Sequence, residues 1–211
     1  MKKNLALRAV LALLLNVMAG YAEQTGLSDE AMGSVENGMY RNPYLGFGFN
    51  LDGWEILTQE DRQRNASINE RALGLQISPD EEESDAVTVM AAKLSGYNDS
   101  VIVRVTDLGR YGLFDEEDLD EEEWMELNQE YFRESLEAAY TVNSFSYGLV
   151  SVNGAELPCY QAEYSLSSGW YILDASLVYT CFFSENHLVV IMTVADTLEA
   201  ALLAMRHIVW M

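Results

Sequence analysis

Residues 157–194, LPCYQAEYSLSSGWYILDASLVYTCFFSENHLVVIMTV, decide the fold. The first part is apolar at even positions (Tyr160, Ala162, Tyr164, Leu166) and the second at odd positions (Ala175, Leu177, Tyr179, Cys181, Phe183). That period of two is the mark of half-buried strands. Ser168-Gly169 and Ser184-Glu185-Asn186-His187 supply turn chemistry between the runs. The last run, Leu188 to Val194, is almost continuously apolar and predicts a central strand covered on both sides.

The alternation also bears on the two cysteines. In a hairpin with matched apolar faces, the numbers of directly opposed residues in these two strands add to an odd number, whereas those of Cys159 and Cys181 add to an even one. The thiols are therefore expected on opposite faces and no disulfide is predicted, even where the compartment would permit one. A one-residue slip or a bulge would reverse this.

Outward from this core, Asn143 to Val152 reads as a further strand ending at the turn Asn153-Gly154. Before it, the span 116–140 has the helical period. Trp124, Leu127, Asn128, Tyr131, Phe132, Ser135, Leu136, Ala138 and Ala139 share one face, with Glu126, Glu130, Arg133 and Glu137 opposite. Ala86–Leu94 and Ser100–Leu108 are β-branched runs joined by Ser95-Gly96-Tyr97-Asn98-Asp99. Tyr44–Leu51, the turn Asp52-Gly53 and Trp54–Leu57 predict a strand–turn–strand opening. Thr58 to Asp61 fits a capping box for a short helix reaching Asn65, and 68–77 is ambiguous. After the last strand, Asp196-Thr197-Leu198-Glu199 predicts a closing helix with Leu198, Ala201, Leu202, Met205 and Ile208 as its packing stripe. The predicted class is α+β, an antiparallel sheet flanked by helices.

The chain begins with Lys2, Lys3 and Arg8 and the apolar run Ala9–Ala19, broken only by Asn16, followed by Gly20-Tyr21-Ala22. This is the profile of a signal peptide cut before Glu23, and the run is short for a membrane span. Residues 23–37 are polar and without period, a predicted linker to a single domain over 38–211. Cleavage leaves 9 of the 12 basic residues against all 34 acids, a formal charge of −25. Such a surface repels phosphate backbones and anionic lipid, so nucleic acid and membrane docking are not expected. The chain is predicted to be secreted or held at the cell surface, as a monomer.

Catalytic motifs are sparse. There is no G-x-S-x-G elbow, no H-E-x-x-H and no C-x-x-C, and Gly46-Phe47-Gly48 lacks the rest of a phosphate loop. His187 is placed in a hairpin loop and His207 on the exposed flank of the closing helix; solvent exposure accounts for both. The acidic run FDEEDLDEEEWMEL (114–127) holds nine carboxylates. Part of it suits a helix start, where free N–H groups favour negative charge. As an EF-hand it fails, because the sixth position from Asp115 is Asp120 and not glycine. Looser calcium binding within 115–123, with Asp115, Asp118 and Glu122 as candidate ligands, is one functional alternative. A carboxylate-based extracellular hydrolase, needing two acids in a cleft, is another. No catalytic residue and no cofactor is assigned. Aromatics crowd Tyr40–Trp54 and 160–179; most are expected in the core, and any left exposed together would form a recognition patch.

The stretch Gly38-Met39-Tyr40-Arg41-Asn42-Pro43-Tyr44-Leu45-Gly46-Phe47-Gly48-Phe49-Asn50-Leu51-Asp52-Gly53-Trp54 resembles the opening motif of secreted Firmicutes-type bacterial proteins related to PsbP, the extrinsic photosystem II protein. The match covers about seventeen residues, and Asp52 stands where the relatives usually have proline. The resemblance implies a PsbP-like α/β/α sandwich and brings no catalytic residues with it. Together these readings predict an exported, non-enzymatic binding or accessory domain whose partner is an extracellular protein or small ligand, met through a groove or aromatic patch on the sheet.

Overall fold

Long antiparallel hairpins form the body of the protein, whose computed structural model describes residues 29–58, 86–111, 120–168 and 171–211. The strands are β1 (Ser34–Glu36), β2 (Met39–Asn42), β3 (Phe47–Asn50), β4 (Trp54–Ile56), β5 (Ala86–Leu94), β6 (Ser100–Asp107), β7 (Thr141–Val152), β8 (Ala155–Ser168), β9 (Tyr171–Ser184), β10 (His187–Ala195) and β11 (Ile208–Trp210). Helix α1 spans Glu121–Ala139 and α2 spans Leu198–Met205. The signal peptide 1–22, the helix predicted over 59–65 and the ambiguous run 68–77 lie outside the described residues. The end of the predicted linker carries a single 3-10 turn (Asp29–Met32) and the short strand β1.

Seven strands form one antiparallel sheet in the order β4-β5-β6-β10-β9-β8-β7, and four form a second in the order β1-β2-β3-β11. β10 lies between β6 and β9 and is buried along nearly its whole length, as a strand with apolar residues on both faces must be. In the β8–β9 pair, Tyr160 faces Tyr179 and Cys159 faces Thr180. The two cysteines are free and buried in different layers, Cys159 on the α2 side and Cys181 on the α1 side.

The helix-flanked sandwich is corrected by this arrangement. Among the described residues the protein is mostly β, 57% strand in two antiparallel sheets with two short helices, and it is not an α/β/α sandwich. One face of the large sheet is covered by α1, through Trp124, Met125, Phe132 and Leu136 against Tyr160, Tyr179, Cys181 and Val190. The other face is covered mainly by the small sheet, through Phe47, Phe49 and Ile208, with the eight-residue α2 beside it.

Two local events make that second sheet. The opening run predicted as strand–turn–strand divides differently: β3 joins the small sheet, whereas β4, beyond the Asp52-Gly53 turn, joins the edge of the large one. Gly53 turns the corner at φ +78, a conformation that costs glycine nothing. At the other end α2 stops early. Its last turn tightens through Arg206 N–H to Leu203 O (3.1 Å) and His207 N–H to Ala204 O (3.2 Å). Ile208, predicted on the helical stripe, instead begins β11 opposite Phe49.

The helix faces also differ in detail from the predicted ones. Leu127 is 64% exposed and Ala138 and Ala139 are exposed, while Met125 is buried. The caps are Asp120, whose carboxylate accepts from Glu123 N–H at 2.8 Å, and Thr197, whose hydroxyl accepts from Ala200 N–H at 3.2 Å. Glu121, Glu122 and Glu123 fill the first turn of α1, so much of the described acidic run is accounted for by helix initiation.

Candidate functional site

Among the described residues the sheets have four edges, and they are not alike. β1, β4 and β11 each contribute three residues. Glu36 ends β1, and Glu55 in β4 accepts a hydrogen bond from the Ser95 hydroxyl at 2.8 Å. β7 is twelve residues long, TVNSFSYGLVSV, with no charge and no proline. An edge strand presents unpaired N–H and C=O groups from alternate residues, and proteins usually blunt such edges with charge, proline, bulges or brevity. Here the single register shift lies between Val142 and Ser144, which leaves 144–152 regular for roughly 30 Å.

The side chains of β7 alternate. Val150 and Val152 are buried in the core shared with α2 and the small sheet. Phe145 and Tyr147 lean on Tyr160 in the core under α1. Leu149 is 57% exposed, Ser144 and Ser146 are exposed, and a Cβ built on Gly148 would meet nothing within 4 Å. The turn after β7 is tight, with Asn153 at φ 47 and Gly154 at φ 89. Beside it opens a solvent-facing cleft of about 570 Å³, lined by Leu149, Val150, Asn153, Gln161, Leu202 and Arg206 among others. Strand edge and cleft thus share residues and form one continuous surface.

Carboxylates border this surface. Glu163 of β8 is exposed and accepts from the Ser144 hydroxyl at 2.8 Å; Asp174 of β9 accepts from Ser165 at 2.7 Å. Burial first, and then the nearby carboxylates of Glu122, Glu126 and Asp120, raise the pKa of the Tyr147 hydroxyl. Arg206, the last residue of the α2 turn, brings positive charge into the cleft.

The residues singled out in the sequence do not converge here. Asp115 and Asp118 lie outside the described residues, and Glu122 is exposed on the first turn of α1. Among the described residues no group of three or more His, Cys, Asp or Glu side chains could hold a metal ion. His187 is not in an exposed loop: it is the first residue of β10, 7% exposed, with its ring edge-on to Tyr44 at 5.5 Å. His207 is half-buried against Phe49 and Trp54, with Nδ1 3.0 Å from Asn50 O. Burial raises the Asp99 pKa, opposed by a hydrogen bond from the backbone of Asp196. That pair ties the β5–β6 loop to the end of β10 and lines neither the cleft nor the shallow hollow on α1. Tyr40, Phe47, Phe49, Trp54, Tyr160, Tyr164 and Tyr179 are buried, so the surface at β7 is aliphatic and polar apart from the half-buried rings of Phe145 and Tyr147.

Among the described residues, no helix is long and apolar enough to cross a membrane. No protein-family model matches the chain, and no curated protein matches it.

Proposed function

We propose that this protein is an exported, non-enzymatic binding or accessory domain that holds its partner along the β7 edge and in the adjoining cleft. One observation carries the reading: among the described residues, a twelve-residue edge strand without charge or proline, where the three other edges are three residues long. A protein that left this edge merely unprotected would invite aggregation, so its retention is best explained by use.

The test compares capture of extracellular proteins from the producing cells by the wild type and by Leu149→Pro, with thermal melts of both. Leu149 stands opposite Pro158, which has no N–H to give. It belongs to the alternate set whose backbone groups face away from β8. Partners retained by the wild type and lost by a folded Leu149→Pro variant support the proposal. Equal retention by both would remove it.

A further inference from the structure

We infer that the edge of β7, unpaired among the described residues, takes up an extended peptide segment with basic flanks, adding it to the seven-stranded sheet as an eighth strand. This rests on the binding-domain reading above and specifies the partner.

The backbone sets the shape of the ligand. A regular edge of 144–152 offers main-chain donors and acceptors only to another extended chain, because a helix or a folded surface cannot match their spacing. Side chains set what such a strand carries. On one face Ser146 and Gly148 leave open space, which accepts a bulky residue; on the other Phe145 and Tyr147 offer half-buried rings, which favour β-branched or aromatic neighbours across the strand pair.

Charge decides between a second copy of this chain and a foreign segment. β7 itself is neutral, but Glu156, Glu163 and Asp174 are exposed on the two strands behind it, and Glu122, Glu126 and Asp120 act on Tyr147 from α1. The whole chain carries −22. Two copies paired edge to edge would bring these acids together, whereas Lys or Arg beside a neutral extended core would meet them favourably.

The experiment uses the folded chain and labelled synthetic peptides, read by fluorescence anisotropy. One peptide has an alternating Thr-Val core with two Lys at each end. A second replaces the Lys with Glu. A third keeps the Lys but places Pro at alternate core positions, so that it has the charge without the strand. The Lys-flanked strand peptide is expected to bind about tenfold or more tightly than either control at low salt. Leu149→Pro should abolish that binding. Ser146→Lys, a change at an exposed side chain, should weaken it. Amide exchange of β7 should slow when the peptide is bound.

Equal binding of the Pro-interrupted peptide would show attraction by charge alone and overturn the inference. So would equal binding of the Glu-flanked peptide, or a concentration-dependent dimer that protects β7 and excludes the peptide. Failure of all the peptides while protein capture still depends on Leu149 removes this inference and leaves the binding reading standing; loss of that dependence removes the reading itself.

Discussion

The two faces of the seven-stranded sheet solve the same problem with different chemistry. The face toward α2 and the small sheet is mainly aliphatic, with Val101, Val103, Val105, Val150, Val152, Val178 and Ile191 buried together beside Trp54 and Phe182. The face under α1 is aromatic and polar: Tyr160, Tyr164, Tyr179 and Cys181 share it with Phe132, and the Tyr160 hydroxyl donates to Met125 O. Asn128 Nδ2 donates to Trp124 O at 2.7 Å. An aliphatic face tolerates any well-shaped cover, because dispersion and water exclusion have no direction. A tyrosine face ties stability to the placement of its helix through the Tyr160 hydroxyl, while the buried Tyr179 hydroxyl has no hydrogen-bond partner among the described residues and adds a cost of its own.

The sharpest way to break this contrast is to remove its central ring. Phe132 is fully buried and sits 4.6 Å from Tyr160 and 4.7 Å from Tyr179, ring centroid to centroid. Phe132→Ala should destabilise the protein by about 3–5 kcal/mol, the range for aromatic truncation in a core. Ile191→Val, equally buried on the aliphatic face, should cost only about 0.5–1.5 kcal/mol. Urea unfolding of the two variants checks the ordering, and equal losses would dissolve the distinction.

Alkaline pH separates the faces without mutation. Burial pushes the pKa values of Tyr160, Tyr164 and Tyr179 above the usual 10.0, whereas the unfolded chain releases those protons near 10.0. The folded state therefore binds more protons, and its stability is full below pH 10 and falls as pH rises. Each tyrosine contributes a loss of about 1.4 kcal/mol by pH 11. Arg104, on the same face, has the opposite sign. Burial lowers its pKa to about 10, so it returns about one tyrosine's share over that interval. The three tyrosines and Arg104 together give a loss of about 3 kcal/mol between pH 9 and pH 11, and the buried Cys181 thiol, whose pKa burial also raises, adds to it. Melting temperatures across that range should fall steeply, and a Tyr164→Phe variant should fall less.

What was legible in the sequence follows the same division. The period-two run 157–166 and the continuously apolar run 188–194 lie inside β8 and β10, because the pleat imposes both patterns locally, one on a half-buried strand and one on a strand covered on both faces. The small sheet was not legible: its strands have three or four residues, and β11 finds its partner, Phe49, across most of the chain. Because β11 has no local signal, the sequence places Ile208 at helical spacing and assigns the second face a helical cover. His187 was misplaced for a related reason, since the ring that covers it, Tyr44, comes from a distant segment. The candidate site was half visible. The uncharged run 141–152 stands in a chain where 22% of residues are charged, a signal available to inspection. That β7 forms an edge depends on strand order, which no local pattern encodes.

The helix caps give the smallest test and bear most directly on why the faces differ. Asp120 holds the first turn of α1 at 2.8 Å, and Thr197 holds that of α2 at 3.2 Å. An N-cap replaced by alanine costs about 0.5–2 kcal/mol, depending on how much structure relies on the turn it closes. α1 is the main described cover of the tyrosine face, and Glu121 in its first turn also accepts from Phe183 N–H of β9 at 3.0 Å. Loosening that turn disturbs the sheet as well as the helix. α2 shares its face with the small sheet, so fraying there leaves Phe47, Phe49 and Ile208 in place. Asp120→Ala should therefore cost about 1–2 kcal/mol and Thr197→Ala about 0.5 kcal/mol, measured by chemical denaturation at neutral pH. A Thr197→Ala loss as large as that of Asp120→Ala would mean that α2, and not the small sheet, is the cover on which the aliphatic face depends.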